Sequence, residues 1–189
     1  MKKRLFCLTA LLFFLVSSPV SFAQEPETGW VTYRKNNISF SCPQDTNLRK
    51  LEARLRSRWF TVSTAEKDLY SNPSYPIEKR ILARLESILL RVEQILEMYP
   101  PNIEINLKIF RNRNELSKEY CRSYGSVEHY KSFYIHSLST IFTSMQDITD
   151  SEVSHEMAHA VIDNYFRVMP PSKTAELLAT YVDSHLEKD

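Results

Sequence analysis

The stretch that most restricts the fold of this chain is a long amphipathic segment at residues 77–99. Its apolar residues recur every three or four positions, which is the helical period. They are Ile81, Leu82, Leu85, Ile88, Leu89, Val92, Ile95 and Leu96. Pro100 and Pro101 follow directly and cannot continue a helix. The segment therefore predicts one long packing helix that ends before the proline pair.

The remaining segments predict an α+β fold. Apolar residues alternate over 103–110, which is typical of a half-buried strand, and β-branched and aromatic residues over 31–41 predict one or two strands. Two more strands are predicted at 132–135 and 140–144, and further helices at 47–60, 114–122, 149–166 and 173–186. Thr149 with Glu152 fits a capping box, and Ser172 can cap the last helix. This order of elements favours an antiparallel or mixed sheet.

The first residues have the pattern of a signal peptide. Three positive residues (Lys2, Lys3 and Arg4) precede an apolar run at 5–16, and the small residues Ser21 and Ala23 occupy the two positions that a signal peptidase reads, which predicts cleavage after Ala23. A membrane anchor is the alternative, but the apolar run is too short to span a bilayer. The sequence thus predicts a signal peptide at 1–23, and a soluble mature protein in the periplasm or outside the cell, without stable insertion in a membrane.

Length, charge and cysteines limit the other classes of function. A chain of 189 residues favours one domain, with an N-terminal strand and helix extension at 24–75 and the main part at 76–189. The net charge of +1 gives no argument for nucleic-acid binding, and two glycines do not make a phosphate-binding loop. In an oxidising compartment Cys42 and Cys121 can form a disulfide, and two separate thiols are the alternative.

Two histidines flank a glutamate at a spacing that suits a metal site. His155 and His159 are four residues apart, so on a helix they lie on one face and can bind one cation. Zinc is a suitable cation because imidazole nitrogen is one of its usual ligands. Glu156 lies beside the first histidine, where it can take a proton from water at the metal.

A catalytic zinc site usually has a third protein ligand. One arrangement uses a histidine six residues beyond the motif, but Tyr165 occupies that position and no glycine precedes it. The other uses a glutamate on the following helix. Glu176 lies early in the last helix, after the break at Pro170 and Pro171 that lets the chain turn back. Glu176 is therefore the predicted third ligand.

The segment from His155 to Val161, followed by residues 176–181, resembles the gluzincins, and in particular the peptidase MA-like metallopeptidases. Their second segment typically reads Glu-Gly-x-Ala-x-Tyr; this chain keeps Glu176, Ala179 and Tyr181 and has Leu177 in place of the glycine. The resemblance is specific over about residues 135–185. It implies a small zincin-like domain whose two C-terminal helices hold one zinc ion, and a zinc-dependent hydrolysis of peptide bonds.

The resemblance also implies supporting residues. A tyrosine or histidine usually steadies the oxyanion, and the candidates are Tyr181, His185, Tyr165 and His136. Asp163 and Asp183 lie one and two helical turns from ligands and can orient the imidazoles, although each can equally be an exposed acid. The strand at 140–144 is expected to be an edge strand that pairs with the substrate backbone.

Two other functions remain open at this point. The small mature chain leaves little room for a lobe that closes on a substrate, so the protein can be a catalytically silent zincin-fold binding protein with a partner protein. An intact Glu156 argues against that, since a structural zinc site needs no base. The motif can also be accidental, in an exported structural protein. A metallopeptidase acting on a peptide or protein substrate is the prediction that accounts for most residues.

Overall fold

The computed structural model describes residues 29–55, 72, 74–126 and 128–186. The predicted signal peptide at 1–23 and the C-terminal part of the helix predicted at 47–60 lie outside the described residues. Within the described ranges, no helix is both long enough and apolar enough to cross a membrane.

Five strands form one mixed sheet. They are β1 (Trp30–Lys35), β2 (Ile38–Pro43), β3 (Ile105–Phe110), β4 (Ser132–Ile135) and β5 (Thr140–Ser144). Their order in the sheet is β1-β2-β3-β5-β4. Strands β2, β3 and β5 run parallel, whereas β1 and β4 pair antiparallel with their neighbours. The structure therefore confirms the predicted α+β class and the mixed sheet.

The described residues form five α-helices. They are α1 (Leu48–Arg54), α2 (Ile77–Leu96), α3 (Arg113–Tyr124), α4 (Asp150–Tyr165) and α5 (Ser172–His185), with a short 3-10 turn at His136–Leu138. Helix α2 ends three residues earlier than predicted. Glu97 adopts a left-handed conformation with φ 53°, and the amide of Met98 donates to the carbonyl of Glu93. This hydrogen-bonded turn ends the helix before the proline pair does.

The start of α4 has the capping residue that the sequence predicts, whereas the start of α5 does not. Thr149 caps α4, and its side chain accepts a hydrogen bond from the amide of Glu152, as predicted. Ser172 does not cap α5: Pro171 occupies the cap position and no side chain bonds to the free amides there. Ser172 is the first helical residue, because the extended conformation of Pro171 already precedes it.

The sheet separates two apolar layers. Alternate residues of β3, including Ile105 and Leu107, face the main core with helices α2, α4 and α5. Phe110 and Phe142 point to the other side, where they pack with Leu116 of α3. Since successive side chains of a strand point to opposite faces, the alternation in the sequence produces both layers.

Cys42 and Cys121 are both free thiols in this structure, which is the alternative that the sequence left open beside a possible disulfide. Cys42 is buried in β2 and belongs to the main core on the α2 side of the sheet. Cys121 lies on α3, which packs on the other face through Leu116. The sheet therefore stands between the two sulfur atoms, a placement that the spacing of the cysteines in the sequence does not reveal.

The predicted edge strand is wrong. Thr140–Ser144 forms β5, which has β3 on one side and β4 on the other. Among the described residues the outermost strand on this side is β4, and α4 packs close to it. Strand β4, and not β5, is therefore the edge strand that lies next to helix α4.

Candidate metal centre

Helix α4 carries both histidines and is fixed by the core. Its apolar face, with Val153, Met157 and Val161, is fully buried against α2 and the sheet. Its first turn is tied to α2 by a buried ion pair in which Arg84 Nη2 lies 2.7 Å from Asp150 Oδ2. The other face of α4, which carries His155, Glu156 and His159, is directed to a cavity.

Helix α5 packs on α4 along a narrow row of small residues. Its buried residues are Ala175, Ala179 and Val182, which recur at helical spacing. Short alanine side chains allow two helices to approach closely. The helix reaches α4 after the chain turns at Pro170 and Pro171, as the sequence predicts. The close approach brings Glu176 beside the histidines.

The three predicted ligands meet at one point. The Nε2 atoms of His155 and His159 lie 3.3 Å apart. A carboxylate oxygen of Glu176 lies 3.7 Å from Nε2 of His155, and the other lies 3.6 Å from Nε2 of His159. These three residues form a group of potential metal ligands whose donor atoms all lie within 4.8 Å of one another.

The separations fit a tetrahedral zinc site. With bond lengths of about 2.0–2.2 Å to nitrogen and oxygen, two ligands of a tetrahedral zinc ion lie about 3.3–3.6 Å apart. The 3.3 Å between the two imidazole nitrogens agrees with that value, and each oxygen of Glu176 lies close to it, at 3.6 or 3.7 Å from one of the nitrogens. Two neutral imidazoles and one carboxylate are also a usual zinc donor set. The residues present therefore fit this metal in chemistry as well as in spacing.

Asp183 orients the first histidine. Its Oδ2 lies 2.8 Å from Nδ1 of His155, so the ring donates its Nδ1 proton to Asp183 and presents Nε2 to the metal position. The hydrogen bond to Asp183 raises the pKa of His155, against the effect of burial. Burial lowers the pKa of His159, which favours the neutral ring that a metal needs.

Glu156 is a buried carboxyl group with an unusual environment. Burial raises its pKa to about 7, against the lowering effect of a hydrogen bond from Ser132. The Oγ atom of Ser132 lies 2.8 Å from Oε1 of Glu156 and 3.1 Å from Oε2 of Glu152. Lys131 pairs with the other oxygen of Glu152 at 3.1 Å. A carboxyl with a pKa near neutrality can both accept and donate a proton at pH 7.

Asp163 does not orient either histidine of the motif. Its Oδ2 atom hydrogen-bonds with Nδ1 of His136, and it also accepts a bond from the hydroxyl of Tyr134 at 3.3 Å. The carboxyl group is buried, while the His136 side chain is largely exposed. Asp163 on α4 therefore holds His136, which follows β4, in the lining of the cavity.

Three of the four residues predicted to steady an oxyanion do not line the cavity. Tyr181 and His185 stack with ring centroids 3.9 Å apart, and neither lines the cavity. At 3.6 residues per turn, Tyr181 lies about 140° around α5 from Glu176, and His185 about 180°. Tyr165 makes an edge-to-face contact with Phe166 instead. The prediction for Tyr181 and His185 is corrected on this ground, and of the four candidates His136 alone lines the cavity.

The cavity itself has a volume of about 550 Å³. The motif and Glu176 lie along one side. The other sides come from the segment around β4, from Tyr124 at the end of α3, and from Met169 and Pro170 before α5. Sequence reasoning missed Ser132 and Tyr124 as site residues. No motif marks either of them, since they lie on elements that meet α4 only in the folded chain.

Comparisons of the chain with protein-family models, with curated proteins and with solved structures gave no match.

Proposed function

We propose that this chain is an exported zinc-dependent hydrolase of peptide bonds with a zincin-like fold of the gluzincin type. The observation that carries the proposal is the convergence of His155, His159 and Glu176 at tetrahedral spacing beside a buried Glu156. A purely structural zinc site usually has four protein ligands. Three ligands next to an acid–base group are typical of a hydrolytic site.

The residues divide the work between metal binding and proton transfer. A zinc ion held by His155, His159 and Glu176 would act as a Lewis acid, which acidifies a water ligand and polarises a carbonyl oxygen. Glu156 accepts a proton from the attacking water and later donates it to the leaving amine. Ser132 holds one oxygen of Glu156 and so fixes the direction of the other.

His136 is the residue best placed to donate a hydrogen bond to the developing oxyanion. Asp163 holds its Nδ1 atom, which leaves Nε2 free on the exposed part of the ring. This arrangement fixes the tautomer and the ring orientation. The role that the resemblance implies for a tyrosine or histidine therefore passes from Tyr181 and His185 to His136.

A peptide substrate can bind in extended form along β4. This strand is the outermost of the described sheet on the side of α4, and Ser132, Phe133 and Tyr134 line the cavity. The backbone of an edge strand can pair with an added strand. Such pairing would hold a peptide carbonyl beside Glu156, which hydrogen-bonds to Ser132 of the same strand.

Metal analysis and peptide cleavage test the proposal together. We expect the purified chain to bind one zinc ion and to cleave unfolded proteins or peptides, with full loss of activity in a chelator. Glu156→Gln should retain zinc and lower kcat by about 10²- to 10⁴-fold, the usual contribution of general acid–base catalysis. Glu104→Gln, an exposed acid outside the cavity, serves as the control.

The outcomes separate the proposal from its alternatives. Zinc binding with the same cleavage pattern in wild type and Glu156→Gln would refute the catalytic role. Stable zinc binding without any cleavage would support a zincin-fold binding protein instead. If the purified chain bound no zinc, the proposal of a zinc-dependent reaction would be refuted.

A further inference from the structure

One end of the cavity is an aromatic wall, defined here as Tyr124, Tyr130 and Phe133. The three residues come from different places in the chain: the last turn of α3, the segment before β4, and β4 itself. They line the same cavity as Glu156, the acid–base group of the proposed reaction. A side chain bound at this wall would therefore belong to a residue next to the bond that is cleaved.

The rings of the aromatic wall are packed against other aromatic rings of the chain. The ring of Tyr120 packs behind the aromatic wall, with centroids 4.7 Å from Tyr124, 4.8 Å from Tyr130 and 5.0 Å from Phe133. Phe133 in turn stacks on Phe142 of β5 at 5.0 Å. Rings held in this way lose little side-chain freedom when a ligand binds, so their contact area contributes to affinity with a low entropic cost.

Two rings of the aromatic wall remain exposed although buried aromatic residues adjoin them. Tyr124 is 51% exposed and Tyr130 is 44% exposed, whereas Phe133 is buried. Tyrosines that present an apolar ring with a polar tip to solvent are characteristic of binding surfaces. Here both line the cavity of the metal ligands. Their exposed faces can stack with a flat or bulky apolar group.

The charged residues around the cavity also favour an apolar ligand. Among the described residues, no lysine or arginine lines it, while the acids Glu156, Glu176 and Asp163 do. Lys131, which precedes β4, lines an adjoining cavity with Tyr130 and Glu156 and pairs with Glu152. An acidic side chain that entered the main cavity would therefore meet three acidic side chains and no lysine or arginine of its lining. An apolar side chain carries no charge and would not be repelled by these acids.

We infer that the aromatic wall is a specificity site for peptides with an aromatic or large aliphatic side chain at a position flanking the cleaved bond. The inference rests on the proposed function, because the wall selects among substrates of that reaction. Burying such a side chain against aromatic surface corresponds to about a 10- to 100-fold advantage over alanine at the same position.

A library of peptides from a digested proteome tests the inference, with cleavage positions read by terminal sequencing. Wild type, Glu156→Gln, Tyr124→Ala combined with Tyr130→Ala, and Tyr99→Ala are compared; Tyr99 is an exposed tyrosine that does not line the cavity. The kcat/KM ratio is then measured for two blocked peptides that differ only by Phe or Ala at the flanking position. This ratio does not depend on the fraction of folded enzyme.

We expect enrichment of Phe, Tyr, Leu or Met next to the cleaved bond, and a Phe-to-Ala ratio of about 10 to 100 in wild type and in Tyr99→Ala. In the double variant the ratio should fall to within about threefold of unity. Cleavage without this enrichment, enrichment of acidic or basic residues, or an unchanged ratio in the double variant would overturn the inference while the proposed function stands. Absence of any Glu156-dependent cleavage would instead refute the proposed function itself.

Discussion

Helices α4 and α5 both bring ligands to the candidate metal centre, but the protein holds them differently. Helix α4 has buried residues on most of its turns and a buried ion pair at its start. Helix α5 buries only Ala175, Ala179 and Val182. The side chain of His159 is accordingly 19% exposed and that of Glu176 is 63% exposed. The site thus joins two ligands fixed by the core to one ligand fixed by a narrow helix contact.

This difference indicates which contacts determine the distances between the three potential metal ligands. The distance between the two histidines depends on one helix and follows from its pitch. The distance from either histidine to Glu176 depends on how closely α5 packs on α4. Changes on α5 should therefore affect metal affinity, while changes in the buried part of α4 should first affect folding.

The largest effect is expected from the exposed ligand itself. Glu176→Ala removes one of three donors, so zinc affinity should fall by more than about 100-fold, beyond the range usual for residues that only orient a ligand. Competition with a zinc-binding dye measures it. Thr174→Ala on the same helix, outside the cavity lining, is the control. Unchanged affinity in Glu176→Ala would mean that α5 supplies no ligand.

The two aspartates test which helix orients the imidazoles. Asp183→Asn on α5 removes the charge that accepts from His155 Nδ1, and zinc affinity should fall about 10- to 100-fold. Asp163→Asn on α4 should leave zinc affinity within about threefold, since Asp163 bonds to His136 instead. The same dye competition measures both. Equal losses in the two variants would contradict the assignment.

The packing of α5 can be tested by changing the size of one buried residue. Ala179 is fully buried between the helices, so Ala179→Leu should lower the free energy of unfolding by about 1–3 kcal/mol through overpacking. Leu177, which stands where the gluzincin pattern has glycine, is 71% exposed. Leu177→Ala should therefore change stability by less than about 0.5 kcal/mol. Urea unfolding in the presence of a chelator measures both.

That pair also addresses the one departure from the gluzincin pattern. Because Leu177 points away from α4, the helix contact does not require a glycine at this position. Strong destabilisation by Leu177→Ala, or tolerance of Ala179→Leu, would show that the contact lies on another face of α5.

The smallest expected effect concerns the turn that leads into α4. Burial alone would raise the pKa of Asp147, but hydrogen bonds from Arg113 and Ser144 outweigh it and hold the pKa below its usual 3.8. The folded pKa is thus lower than the unfolded one. The resulting stabilisation is present above about pH 4 and is lost as the pH falls through the lowered value.

Arg113→Ala should therefore lower the free energy of unfolding slightly at pH 7, and the difference from wild type should disappear under acid conditions. The effect is small because the Arg113 side chain is largely exposed to solvent. Arg122→Ala, which removes an exposed pair on the same helix, is the control. Urea titrations at several pH values measure the trend, and a difference that grows in acid would contradict it.

Local patterns in the sequence predicted much of the fold. The helical period gave α2 and α4, alternation gave β3, and the cap at Thr149 was correct. These features depend on neighbours within a few residues, so the sequence alone can indicate them. The predicted end of α2, by contrast, missed a local turn at Glu97.

The other main errors concern pairings between distant parts of the chain. The sequence did not indicate that β5 is interior and β4 is outermost, because strand order depends on contacts far along the chain. It also did not indicate that Cys42 and Cys121 lie on opposite faces of the sheet. His136 was one of four equal candidates, and its position in the cavity lining and its contact with Asp163 distinguish it from the others.

The amino-acid pattern alone indicates that His155, Glu156 and His159 share one stretch of helix, since the pitch of an α-helix sets their relation wherever the helix lies. Only the folded chain shows that Glu176 lies 3.6 and 3.7 Å from the two imidazoles, that Asp183 hydrogen-bonds to His155, and that the aromatic wall lines the same cavity. Those relations depend on how helices and strands pack. Packing is set by the whole set of buried side chains and not by any single spacing.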